Sequence, residues 1–244
     1  MKIKMCGKTD RGLVRDTNED SFWYDENLGA TIVADGLGGA SAGEVASSIT
    51  ADMFRDIVRA SLSQAVSVEE VKAVLSGSLS RAGQEILKSA GENPELDGMG
   101  STAVCVCFRN NRWVIAHIGD SRAYLAHKGN MVQLTKDHSF VQNLLDKGLI
   151  TPEQAHFHPY RNLITRHVGM QGGAEADFAV LEAATGDICL LCSDGLTGML
   201  SDEEISAILS GDMSLGEKCE ELIKKTLEYG APDNITVVIA EAGE

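Results

Sequence analysis

Five short segments set an acidic residue beside glycine or asparagine at an end of an apolar run. They are Arg15-Asp16-Thr17-Asn18-Glu19-Asp20, Ala34-Asp35-Gly36-Leu37-Gly38-Gly39, Gly119-Asp120-Ser121-Arg122, Ser193-Asp194-Gly195 and Pro232-Asp233-Asn234. A carboxylate next to a buried strand is held near the sheet rim on rigid backbone. A neighbouring Gly permits unusual dihedrals and lets a main-chain carbonyl approach a ligand. Brought together, these groups make an oxygen-only cage, the environment that hard divalent cations such as Mg²⁺ and Mn²⁺ prefer while keeping several waters. Any one Asp-Gly pair is more often a turn than a ligand; it is the five together that point to a cation.

The elements that must position these acids are short strands and capped helices. Ser21–Tyr24 and Ala30–Ala34 are apolar, β-branched or aromatic runs that predict strands. Ser41 with Glu44 makes a capping-box pattern followed by Val45, Ile49, Met53 and Ile57 along one helical face. Ser67 with Glu70 repeats it, with Val71, Leu75, Leu79, Ala82 and Ile86 as the stripe. From Ser101 to Leu134 alternating strands are separated by Asn110-Asn111, Gly119-Asp120 and Lys128-Gly129-Asn130, a β-meander. Thr151-Pro152 starts a further helix, and strands return at Phe178–Leu181 and Ile188–Cys192. Helices follow at Ser201/Glu204 and along Leu215, Cys219, Leu222 and Ile223, and Asn234–Ala240 is a last strand. Strands in antiparallel runs with helices in pairs exclude alternating βαβ topology. The expected class is α+β: a four-layer α-β-β-α sandwich of two antiparallel sheets flanked by helix pairs. Residues 1–244 fit one large domain.

Hydrophobic residues are 43% and charged residues 23% of the chain, the balance of a soluble globular protein. A net charge of −15 argues against nucleic acid or an anionic membrane as partner, since those surfaces are bound by clustered Lys and Arg. No run approaches the ~18 apolar residues of a membrane span, and the first residues carry no signal-peptide pattern, so the expected location is the cytoplasm. The six cysteines read as core residues, and His156 with His158 as loop residues rather than a metal pair.

Taken in chain order, several spaced motifs resemble one family: Thr9–Arg15 with Asn18-Glu19-Asp20, Val33–Gly39, Gly100–Ala103, Gly119–Tyr124, Thr135–Ser139, Cys192–Leu196 and Asp233–Thr236. Across essentially its whole length the chain is similar to the metal-dependent protein serine/threonine phosphatases of the protein phosphatase 2C type, in their bacterial branch. The resemblance implies two Mn²⁺ or Mg²⁺ ions in a cleft at one edge of a β-sandwich. Asp35 would bridge both ions, the Gly36 carbonyl would bind the second, and Asp194 and Asp233 would complete the first. Glu19 and Asp20 would hold metal-bound waters, Asp120 with Asp194 would form a weaker third-metal site, and Arg15 would grip the substrate phosphate, with Arg122 as the next candidate. Residues 142–173 would be the family's flap. The implied reaction is hydrolysis of phosphoserine and phosphothreonine on proteins with no covalent intermediate. The implied partners are phosphorylated proteins and a Ser/Thr kinase, and the expected state is a monomer. The chemistry agrees: two cations about 3.5–4 Å apart share one water and lower its pKa well below about 15.7, while Arg supplies a bidentate fork to phosphoryl oxygens. Two positions depart from the family pattern, Leu37 and Ala40, so the general acid is left unassigned.

Competing readings are weaker. Gly39-Ala40-Ser41-Ala42-Gly43 matches the nucleophile-elbow pattern, but no histidine follows His167 and the expected strand ends at Asp35, several residues before Ser41. Gly36-Leu37-Gly38 begins a dinucleotide fingerprint whose third glycine is replaced by Ser41. A metal-free binding module on the same fold is disfavoured by the presence of every expected metal-binding carboxylate.

Overall fold

Two-residue turns set the register of the sheets. Asn110 and Asn111 adopt φ of 50° and 56°, and Lys128 and Gly129 φ of 48° and 81°, the left-handed values that a tight hairpin needs. They close β5 (Ala103–Arg109) onto β6 (Arg112–Ile118), and β7 (Arg122–His127) onto β8 (Asn130–Gln133). In this computed structural model, which describes residues 1–39 and 42–243, one sheet runs in the order β2 (Asp20–Asp25), β3 (Ala30–Leu37), β5, β6, β9 (Asp177–Glu182), with β4 (Gly100–Ser101) beside β3. The other runs β1 (Lys2–Asp10), β11 (Ile235–Gly243), β10 (Ile188–Cys192), β7, β8. Every pairing is antiparallel.

The period of two sorts each strand's side chains between spaces. Val33, Val104, Val106, Trp113 and Ile115 face Ile3, Met5, Cys189, Leu191 and Val238 between the sheets. Their neighbours Ile32, Cys105 and Val114 turn outward under α1 (Ala42–Ser61) and α2 (Val68–Glu92), packing on Phe54, Leu75 and Ile86. On the opposite side Leu190, Cys192, Val237 and Ile239 lie under α6 (Asp202–Ser210) and α7 (Leu215–Glu228). Three apolar spaces therefore separate four layers, as the α+β reading required. All six cysteines are free thiols, five of them buried.

Local signals proved dependable. Ser67/Glu70, Thr151/Gln154, Ser201/Glu204 and Ser214/Glu217 each form a reciprocal capping box. Four features differ from the expectation. The β-meander read over Ser101–Leu134 breaks at Gly119-Asp120, with β5 and β6 paired in one sheet and β7 and β8 in the other. β1 was not anticipated: its lysines mask an edge strand in which only Ile3 and Met5 are fully buried. β3 extends through Leu37, so Asp35 and Gly36 lie within the strand rather than after it. The inner face of α1 is not the Val45, Ile49, Met53 and Ile57 stripe, which is only half-buried; Ala46, Ser47, Thr50, Ala51, Phe54 and Val58 face the sheet. Those small residues let the helix sit close to it, and Ser47 Oγ lies 3.1 Å from Ser21 Oγ on β2. The expected helix cap at Ser41 and the departure at Ala40 lie outside the described residues.

Residues 139–173 carry two short helices, α3 (Phe140–Asp146) and α4 (Pro152–His156), and are otherwise irregular. Isolated bridges Ser139–Ile164 and Ser101–Val168 close the segment on itself and tie it to the body. Its outer surface is apolar in part, with Phe157 80% exposed.

Candidate active site

The cleft begins with a cross-strand pair of like charge: Asp20 on β2 lies directly opposite Asp35 on β3. Such a pairing is unfavourable unless something else compensates it. The Asp35 backbone is held firmly. Its N–H donates to Thr102 Oγ1 at 2.9 Å, and its carbonyl accepts from the Thr102 N–H at 2.8 Å and the Ser101 hydroxyl at 3.1 Å. Gly36 donates to the Glu19 carbonyl at 3.1 Å, and a β-carbon there would run into the Gly43 carbonyl. Glycine is therefore required where the start of α1 crosses the strand. Asp194 opens the short helix α5 (Asp194–Thr197) directly after β10. Asp233 precedes β11, where its Oδ1 accepts the Asn234 N–H at 2.9 Å. Asp120 follows Gly119, whose φ is 108°.

These groups crowd one another. Burial, and then the charges of Asp20, Asp194, Asp120 and Asp233, hold the Asp35 carboxyl well above the usual carboxylate range. Burial and the Asp194 charge do the same to Asp120. Burial pushes Asp20 to about 7 against the opposing hydrogen bonds of Thr236 and Ser193, and Asp194 to about 6, with the Asp233 charge adding to the rise and a hydrogen bond shared with Asp35 opposing it. Glu19 is raised by burial too. The Oδ2 atom of Asp20 accepts from Ser193 Oγ at 2.7 Å, whereas its buried Oδ1 has no partner among the described residues. An unpaired buried oxygen inside a ring of acids is what a cation would satisfy. The donor set is oxygen alone, so these residues fit Mg²⁺ or Mn²⁺. Among the described residues no three cleft carboxylates bring ligand atoms within 4.8 Å of one another. With the carboxylates that far apart, water would fill part of the shell of any cation held there.

Arg15 reaches this ring from the N-terminal loop. Its Nη2 donates to Asp233 Oδ2 at 2.8 Å, and its side chain remains 48% exposed. Arg122 is not free to grip a phosphate. Its Nε and Nη2 hold Asp137 at 2.7–3.1 Å and its Nη1 donates to the Tyr124 hydroxyl at 3.1 Å. A cavity of about 330 Å³ lies between Asp120 and Asp194 on the body and Leu145, His156 and Arg161 of the 139–173 segment. A larger open groove of about 830 Å³ on α7, lined by Lys8, Glu217 and Glu220, holds none of the cleft acids. His156 and His158 join no ligand cluster among the described residues, and His158 Nδ1 instead accepts the Tyr160 N–H at 3.1 Å.

Several contributors escaped the sequence. Asn234 anchors the whole N-terminal loop: its Nδ2 donates to the Arg11 and Thr17 carbonyls, both at 2.9 Å, and its Oδ1 accepts the Glu19 N–H at 2.8 Å. The only signal was its place beside Asp233. Ser193 links Asp20 to the Thr236 N–H, which it accepts at 3.0 Å, and the Thr102 and Ser121 hydroxyls lie 2.7 Å apart.

Comparison with known proteins agrees with this geometry. Residues 12–234 match the family model described as Protein phosphatase 2C. The serine/threonine phosphatase stp of Listeria welshimeri is 39% identical over 237 residues, covering 96% of this chain and 94% of that one. The crystal structure of the Mycobacterium tuberculosis serine/threonine phosphatase PstP superposes with a TM-score of 0.89 at 38% identity over 100% of both chains. A PstP catalytic domain in complex with 2 manganese ions gives 0.85 at 36% identity, covering 100% of this chain and 99% of that one. The chain belongs to the protein phosphatase 2C family, alongside the serine/threonine protein phosphatases of its bacterial branch.

Proposed function

We propose that this enzyme hydrolyses phosphoserine and phosphothreonine on proteins with two divalent cations, Mn²⁺ or Mg²⁺, and without a phosphorylated enzyme intermediate. The observation that carries the reading is the convergence of the Asp20, Asp120, Asp194 and Asp233 charges on Asp35. Asp35, central to the ring, would be shared between the two ions, with the Gly36 carbonyl as a ligand of the second and Asp194 and Asp233 as ligands of the first. Glu19 and Asp20 would hold metal-bound waters, and Asp120 with Asp194 would hold a weaker third ion. When bound, the ions supply a nucleophilic water at neutral pH and neutralise charge on the phosphoryl oxygens. Arg15 binds and orients those oxygens with the part of its fork not spent on Asp233. Asn234 keeps Arg15 and Glu19 in register by tying both ends of their loop to the residue just before β11. Leu37 offers no proton to the leaving oxygen, so that role falls to no assigned side chain.

The 142–173 segment acts as a flap over the cavity beside Asp120, on a single catalytic domain spanning 1–244. No described helix is long and apolar enough to cross a membrane. The substrates are phosphoproteins in the cytoplasm, among them the targets of a Ser/Thr kinase and that kinase itself. The enzyme acts as a monomer. Phosphopeptide hydrolysis with and without EDTA and added Mn²⁺, run in ¹⁸O-water with intact-mass analysis, tests the reaction. Cation-dependent turnover, one labelled oxygen in released phosphate and no +80 Da enzyme species (about the mass of a phosphoryl group) are expected. Full turnover after chelation would sink the reading.

A further inference from the structure

Outside the cleft, three ligand-type side chains meet with donor atoms within 4.8 Å: His117, His138 and Asp177. Most of their hydrogen-bonding capacity is already engaged. His138 Nδ1 accepts the Gly119 N–H at 3.1 Å, which places the ring proton on Nε2, and Nε2–H donates to Asp177 Oδ2 at 3.1 Å. His117 Nε2–H donates to the Lys136 carbonyl at 2.9 Å, and the two rings stack with centroids 4.6 Å apart. Arg166 holds both oxygens of Asp177, at 3.0 and 3.4 Å. A metal at this trio would have to displace a guanidinium and strip a ring proton whose tautomer Gly119 enforces, so the cluster positions groups rather than ligating an ion.

What it positions is the peptide before Asp120. His138 grips Gly119 twice, since its own N–H also donates to the Gly119 carbonyl at 2.9 Å. Gly119 sits at φ 108°, where a β-carbon would meet Thr102 at 2.7 Å. Thr102 in turn contacts Ser121 and holds the Asp35 N–H. From the other side, the Thr165 N–H donates to the His138 carbonyl at 2.7 Å, one residue before Arg166. A continuous chain of contacts thus runs from the returning limb of the 139–173 segment through Arg166, Asp177 and His138 to Gly119 and Asp120.

We propose that His138 is a positioning residue for Asp120, and that through Asp177 and Arg166 it makes cation affinity at the Asp120/Asp194 site depend on how the 139–173 segment is seated. This rests on the reading that Asp120 takes a cation. The test is Mn²⁺ binding to the chelator-stripped enzyme, followed by electron paramagnetic resonance of the free ion, alongside thermal unfolding. Wild type should bind two ions tightly and one weakly, and Asp120→Asn should lose the weak one. His138→Leu should weaken that ion about 10- to 100-fold, the usual effect of removing an outer partner, and leave the two tight ions unchanged. His138→Asn, whose Oδ1 stands as many bonds from Cα as Nδ1, should restore most of the affinity. Asp177→Asn and Arg166→Gln, on half-exposed side chains, should show a smaller loss at the same ion alone, and they carry the test if His138→Leu does not fold. Unchanged weak-ion affinity in folded His138→Leu, or in Asp177→Asn where the leucine variant fails, would overturn the proposal. Equal loss at all three ions, or no rescue by Asn, would overturn it as well by reducing His138 to a general structural role. A weak ion that survives Asp120→Asn would instead locate the failure in the underlying cation assignment, and the proposal would go with it.

Discussion

Two clusters of titratable groups lie near each other in this fold and are built on opposite plans. Both ring nitrogens of His138 are paired from within: a peptide N–H, a carboxylate and, behind it, a guanidinium close the circuit, and burial holds both imidazoles below their usual pKa and so neutral. Around Asp35 acids meet acids, burial drives their pKa values up, and one oxygen of Asp20 is left without a partner. The first arrangement stabilises the folded chain unaided. The second costs stability until positive charge arrives, and that unmet demand is the binding energy available for cations.

The sharpest way to break this contrast is to remove one acid from each cluster. Asp35→Asn should abolish phosphopeptide hydrolysis while the melting temperature of the chelated protein stays level or rises, because a repelling charge has gone. Asp177→Ala should lower that temperature, because it strands His138 and Arg166. Calorimetry in EDTA reads both, and a large stability loss in Asp35→Asn would refute the contrast. The two arginines sharpen it further. Arg122→Ala leaves Asp137, only 11% exposed, without its partner and should cost about 3 kcal/mol of stability in urea denaturation. Arg15→Ala should leave unfolding nearly unchanged and lower kcat/KM by about 2–4 kcal/mol. Kinetics indistinguishable from wild type would move the phosphate clamp elsewhere.

Protonation provides a subtler probe. Asp20 at about 7 and Asp194 at about 6 compare with roughly 3.9 in an unfolded chain. The folded state therefore binds more protons across that window, and its stability falls as pH rises through it. In EDTA the melting temperature should decline between about pH 4 and 7, and saturating Mn²⁺ should flatten the slope; a rise with pH in EDTA would contradict the charge arrangement. The smallest effect lies far from both clusters: Ser201→Ala removes a helix cap and should cost about 1 kcal/mol with turnover intact, measurable as a shift in the denaturation midpoint.

Much of this molecule is written in local pattern. Capping boxes span three residues, hairpin turns two, and strand alternation repeats every second residue, so each is legible without knowing the fold. The same holds for the acids of the cleft, because an Asp beside Gly at a strand end announces itself within a few positions. What the sequence alone determined was therefore most of the strands, the paired helices and the identity of the charged residues. Tertiary structure decided which groups meet. Asn234 braces Glu19 across 215 positions and Ser193 reaches Asp20 across 173. The face α1 turns inward was chosen by close packing on β2 and β3 rather than by its most apolar stripe. Arg122, at the cleft wall, spends its fork on Asp137, and His138 found Gly119, because contacts between distant segments follow from how whole layers stack, and no local period records that.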